Sequence, residues 1–118
     1  MRKDVLNNEK NESEKLINIL LVEDNPGDVL LFKANLLEAD FRSFDLSCAE
    51  TFAAAIAILK DRKFDLIFLD LSLPDASGVE TLIRMRNFVQ NIPVIVITGL
   101  TDDGIWPRAI AAGAQDYL

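Results

Sequence analysis

Histidine is absent from all 118 residues, and cysteine occurs once, at Cys48. Without histidine the chain cannot assemble a Ser-His-Asp or Cys-His catalytic set, or a histidine-bearing zinc site, from its own residues. A single cysteine excludes an internal disulfide and reads as a small buried apolar residue. No apolar run approaches the roughly 20 residues that a membrane helix requires; the stretches 19–22 and 94–97 are among the longest. The start, MRKDVLNNEKNESEK, has no apolar segment after its basic residues, which argues against a secretory signal and for a cytoplasmic protein with no membrane contact. Runs of lysine and arginine are also missing. The net charge is −7, and residues 1–15, with four basic and four acidic side chains, contribute none of it. The remainder is therefore acidic, repels a phosphate backbone, and is not expected to bind nucleic acid by itself. A GxGxxG run after the first apolar stretch is lacking too, which disfavours a dinucleotide site.

What is present is an alternation of short apolar runs with helix-length amphipathic segments. Residues 1–15 read as a polar, flexible leader, and the folded part begins near Leu16. The first strand, 17–22, is apolar nearly throughout, as a parallel strand covered on both faces should be. Asn25 and Pro26 supply a helix N-cap and first helical position, with Asp28 in the first turn, and Val29, Phe32 and Leu36 share the inward face of the helix that follows. Residues 44–48 read as the second strand and 50–62 as a helix with Phe52, Ala55, Ile56 and Leu59 at helical spacing. A third strand at 65–69 leads into a loop, 70–78, marked by Pro74, Asp75 and Gly78, and a helix at 79–88 turns Val79, Leu82 and Ile83 inward. The fourth strand is 94–97, a short helix near 108–112 stops at Gly113, and 115–118 begins a fifth strand.

Right-handed crossovers convert this alternation into an α/β fold, an open parallel five-stranded sheet with helices on both faces. The flavodoxin-like order 2-1-3-4-5 fits the strand count and makes the first and third strands neighbours at the switch point. Residues just past the carboxyl ends of those strands then converge in one crevice. They are Glu23 and Asp24, Asp70, and, from the fourth strand, Thr98. Clustered carboxylates raise one another's pKa unless a cation intervenes, and a hard ion such as Mg2+ suits such a set. Asp70, on the central strand, can serve as both ligand and nucleophile, forming an acyl phosphate whose oxygens the metal neutralises. The Thr98 hydroxyl can reach one of those oxygens, and Gly99 leaves room for an incoming phosphodonor.

The acidic pair in LLVEDNP, Asp70 in LIFLDLSLPDASG with Pro74 four residues on and Gly78 eight on, Thr98 closing PVIVITG, and GAQDYL before the end stand in one order, with Asp70 46 residues after Asp24 and Thr98 28 after Asp70. In this the chain resembles, over 17–118, a response-regulator receiver domain of two-component signalling. The resemblance implies that Asp70 is the phosphoacceptor, loaded from a histidine kinase or a histidine phosphotransfer protein. It also implies that Glu23, Asp24, Asp70 and the backbone carbonyl of Ser72 hold Mg2+. Thr98 and the aromatic matching Tyr117 would move together on phosphorylation, a population shift between two packings.

Two departures stand beside it. The receiver lysine would fall three residues past Tyr117, beyond Leu118, and a fifth helix is lacking, so the domain reads as truncated after the fifth strand, residues 16–118 being a piece of a longer protein. Pro107 stands where a fourth helix would run and must start or kink it; Trp106 beside it reads equally as a partner contact or a plug. Apolar Leu100 and small Ser72 place no attacking water, so slow loss of the phosphoryl group is expected. A pseudo-receiver scaffold that never accepts phosphate is one rival. An aspartyl-nucleophile phosphatase is another, although Asp70 is followed by Leu71 and Ser72 and so lacks a second carboxylate as general acid. A homodimer and a covalently linked output domain both remain open as partners.

Overall fold

The computed structural model describes residues 16–38, 43–97 and 116–117; the expected leader at 1–15 and the expected helix near 108–112, with Trp106 and Pro107, lie outside them. Its elements are β1 (Ile17–Val22), α1 (Pro26–Glu38), β2 (Phe44–Ala49), α2 (Phe52–Asp61), β3 (Leu66–Asp70), β4 (Ser72–Leu73), β5 (Ala76–Ser77), α3 (Val79–Phe88), β6 (Val94–Ile97) and β7 (Asp116–Tyr117). Five strands form one parallel sheet in the order β2-β1-β3-β6-β7, which is the 2-1-3-4-5 order expected from the alternation of apolar runs.

Apolar residues on consecutive strand positions serve two cores, one on each side of the sheet. Leu20, Val22, Ile67, Leu69, Val94 and Val96 face Phe52 and Ala55 of α2 and Leu82 and Met85 of α3. Ile19, Leu21 and Phe68 face the other way, toward Leu36 of α1. There the Phe32 ring meets Phe68 edge-on, with centroids 4.6 Å apart. Each such buried side chain contributes about 1.5–3 kcal/mol relative to exposure, and among the described residues these contributions centre on strands β1 and β3. No helix among the described residues is long and apolar enough to cross a membrane.

Several local readings are corrected. Helix α2 begins at Phe52 rather than residue 50, because Thr51 adopts an extended conformation and its hydroxyl oxygen accepts the Ala54 N–H at 3.0 Å. On α3 the buried arc is Val79, Thr81, Leu82 and Met85, and Ile83 is exposed on the far side. Cys48 is exposed rather than buried. It shares the α1 side of edge strand β2 with Phe44 and Leu46, but it sits at the strand's end, in a depression with Pro26, Val29 and Leu30 where α1 only begins. Finally, 70–78 is not an irregular loop. It folds back as an antiparallel pair, Ser72 opposite Ser77 and Leu73 opposite Ala76, around the turn Pro74-Asp75.

Candidate metal centre

Parallel pairing brings the carboxyl ends of β1 and β3 side by side, with Val22 opposite Leu69. The next residue on each strand is acidic. Glu23 continues the ladder toward β2 by donating its N–H to the Ala49 carbonyl at 2.9 Å, which turns its side chain into the crevice. Asp70 is the last residue of β3 and lies opposite Ile97 of β6. Each of Glu23, Asp24 and Asp70 offers a carboxylate oxygen within 4.8 Å of the other two. Glu23 and Asp70 are buried, at 7% and 5% exposure, while Asp24 faces solvent.

Local hydrogen bonds hold these side chains in place. The Asn25 N–H donates to Glu23 Oε2 at 3.2 Å, and the Ser72 N–H donates to Asp70 Oδ1 at 3.1 Å. Just beyond, the Asn25 side chain caps α1 as the sequence predicts, its Oδ1 accepting the Asp28 N–H at 3.0 Å. Burial pushes the Glu23 carboxyl up to about 7, and the charge of Asp70 and a hydrogen bond shared with it push the same way, against the Asn25 N–H. Asp70 is raised as well, by burial first; the hydrogen bonds from Glu23 and Ser72 lower it, and the charges of Asp24 and Asp28 raise it. Both carboxyls of the pair are therefore raised, in each case by burial first.

That arrangement fits a hard divalent cation. Three convergent carboxylate oxygens, two of them from buried residues, form a site whose mutual repulsion a metal ion would relieve. Asp24 keeps an open, hydrated edge, and the ion retains waters in such sites.

Ser72 lies in β4, directly after the site, with its side chain exposed. Pro74 opens the two-residue turn of the hairpin. Gly78 closes it: its N–H donates to the Leu71 carbonyl at 2.7 Å, and its φ of 76° and ψ of −170° belong to a region that side-chain-bearing residues rarely adopt. Thr98, Gly99 and Leu100 lie outside the described residues. Tyr117 is described only in its backbone, as the partner of Val96 in β7.

The sequence marks Asp75 only as a loop residue and does not signal its capping role. Its two oxygens accept the Phe52 N–H at 2.8 Å and the Ala53 N–H at 2.9 Å, which satisfies two of the orphan donors of α2 from a loop 22 and 23 residues away. Nothing local to either segment signals that pairing. Thr51, by contrast, is a side-chain cap directly before an apolar periodic run, a signal present in the sequence.

A family model described as the response regulator receiver domain matches residues 19–118. The swarming motility regulation protein RssB of Serratia marcescens is 38% identical over 102 residues, covering 86% of this chain and 45% of that protein. Among solved structures, the Mn2+-bound form of response regulator Rcp1 is similar at 28% identity and a TM-score of 0.76, over 86% of this chain and 79% of that one. The phosphorylated cyanobacterial phytochrome response regulator RcpA is similar at 25% identity and a TM-score of 0.75, over 87% and 79%. The chain spans less than half the length of the curated relatives it matches.

Proposed function

The chain belongs to the response regulator receiver domain family, and from that membership we propose that it is a phosphorylation-controlled switch that takes a phosphoryl group onto Asp70 with Mg2+ bound at Glu23, Asp24 and Asp70. The observation that carries this reading is the convergence of those three carboxylates within 4.8 Å at the ends of neighbouring strands. The donor is a phosphohistidine on a histidine kinase or phosphotransfer protein, since this chain has no histidine of its own. An Asp70 oxygen attacks phosphorus, the phosphorus–nitrogen bond breaks, and the imidazole nitrogen that leaves regains a proton from solvent.

Bound Mg2+ supplies charge neutralisation for the equatorial phosphoryl oxygens. Glu23, Asp70 and, from the solvent edge, Asp24 would hold the ion through their carboxylates, with the Ser72 carbonyl as the backbone ligand. The Ser72 N–H, already on Asp70 Oδ1, orients the attacking carboxylate. Thr98 and Gly99 receive the phosphoryl oxygens, and Tyr117 on β7 follows Thr98. Two similar proteins support the chemistry, Rcp1 through its Mn2+-bound form and RcpA through its phosphorylated form.

In this reading the chain regulates, and does not turn over a separate substrate; the matched relative from Serratia is likewise named as a regulator. The greater length of the relatives supports an output segment joined to the receiver. Incubation with Mg2+ and acetyl phosphate followed by intact-mass measurement tests the assignment. One phosphoryl mass is gained by the parent protein and none by Asp70→Asn. Equal mass gain in both, or none in either, contradicts it.

A further inference from the structure

The hairpin that follows Asp70 is small. Two residue pairs, Ser72 with Ser77 and Leu73 with Ala76, are all that β4 and β5 contribute, and a two-stranded ribbon of this size does not hold its own shape in water. Its base is closed by the Gly78 N–H on the Leu71 carbonyl. Its tip is held from outside. Asp75, at the turn, accepts both the Phe52 and Ala53 N–H groups with separate oxygens, at 2.8 and 2.9 Å. The same Phe52 carries the Arg84 guanidinium of α3 over its ring at 4.2 Å. Those two N–H bonds, with help from Arg84, keep the Asp75 carboxyl below the usual carboxylate range, so it stays an acceptor on both oxygens. The turn is thereby pinned to α2, and α2 to α3, on the side of the sheet where Leu69 and Leu71 are buried.

Building on the reading of Asp70 as acceptor, we infer that Asp75 is a positioning residue for the phosphoryl-transfer site: by clamping the hairpin tip to the N-terminus of α2 it fixes Ser72, whose carbonyl is to meet the metal and whose N–H orients Asp70. Asp75 touches neither the phosphoryl group nor the ion. Its effect passes through the hairpin, and it differs in that from Thr51, which caps the same helix end through Ala54 but makes no hydrogen bond to the loop.

The contrast between these two caps is the experiment. Mg2+ dissociation constants are measured calorimetrically for the parent protein, Asp75→Ala, Asp75→Asn and Thr51→Ala, alongside amide hydrogen exchange at Ser72 and Gly78 and phosphoryl mass gain from acetyl phosphate. Asp75→Ala is expected to weaken Mg2+ roughly tenfold, the scale of losing a group that orients a metal ligand, and to speed exchange at Ser72 and Gly78. Asp75→Asn keeps one acceptor oxygen and recovers part of the affinity. Thr51→Ala lowers thermal stability but leaves Mg2+ affinity and loop exchange unchanged. Parental Mg2+ affinity in Asp75→Ala, or an equal loss in Thr51→Ala, overturns the positioning role while leaving Asp70 as acceptor. A parent protein that binds Mg2+ with the expected Asp75 dependence yet gains no phosphoryl mass overturns the acceptor reading and leaves the clamp standing.

Discussion

Glu23 and Asp70, at the carboxyl ends of two adjacent strands, are buried together with carboxylate oxygens within 4.8 Å of each other, and burial raises both carboxyls. Repulsion between these carboxylates is what a bound cation would relieve.

A pH dependence follows from the raised Glu23 carboxyl. Its folded value of about 7 lies above the ordinary 4.5, so the metal-free fold binds this proton more tightly than the unfolded chain does. That contribution to stability is fully present below the ordinary value and is lost as pH rises through about 7. Mg2+ binding needs the deprotonated pair and so runs the other way. Thermal melts across this range should show the Mg2+-induced rise in Tm growing with pH and levelling off above the Glu23 value. Glu23→Gln should flatten the metal-free dependence. A Mg2+ increment that is independent of pH would remove Glu23 from the ligand set.

Replacing the acceptor separates stability from chemistry. Asp70→Asn retains an oxygen for the Ser72 N–H and removes one of two mutually repelling charges. Above the raised Glu23 value of about 7, the metal-free variant is expected to be at least as stable as its parent in denaturant titration. A marked loss of stability would mean that the Asp70 charge is compensated within the protein itself.

Gly78 makes a purely conformational prediction. A Cβ added there meets nothing within 4 Å, yet the backbone φ is +76°. Gly78→Ala should therefore destabilise the fold by about 1–3 kcal/mol through backbone strain alone, with the denaturant m-value unchanged. Parental stability in this variant would indicate that the loop can re-form with φ negative.

The site was legible where one residue type at a strand end sufficed. Glu23 and Asp70 each directly follow four consecutive apolar residues, Asp24 is next to Glu23, and parallel pairing of β1 with β3 does the rest. Strand order was legible for the same reason, since helix-length connections leave few ways to lay down five parallel strands. What escaped notice depended on tertiary partners. Asp75 caps a helix distant in sequence, and the hairpin of β4 and β5 is too short to show a period. Cys48 depends on where α1 starts relative to the end of an edge strand.

The rotation of α3 was misjudged in the same way, and it supplies the last test. Leu82 and Ile83 are adjacent apolar residues, and their chemistry alone does not say which one faces the sheet. Leu82 is fully buried with Met85 in the core that also holds Leu69 and Val94, while Ile83 is 43% exposed. Leu82→Ala should cost about 2–5 kcal/mol, the transfer loss plus the cavity left behind, and Ile83→Ala should stay within about 0.5 kcal/mol of the parent, as surface changes do. Urea titration of the two variants reads the difference directly. Equal losses would place the buried arc of α3 midway between the two residues and move the N-terminus of that helix, with Gly78 and the hairpin base, relative to Asp70.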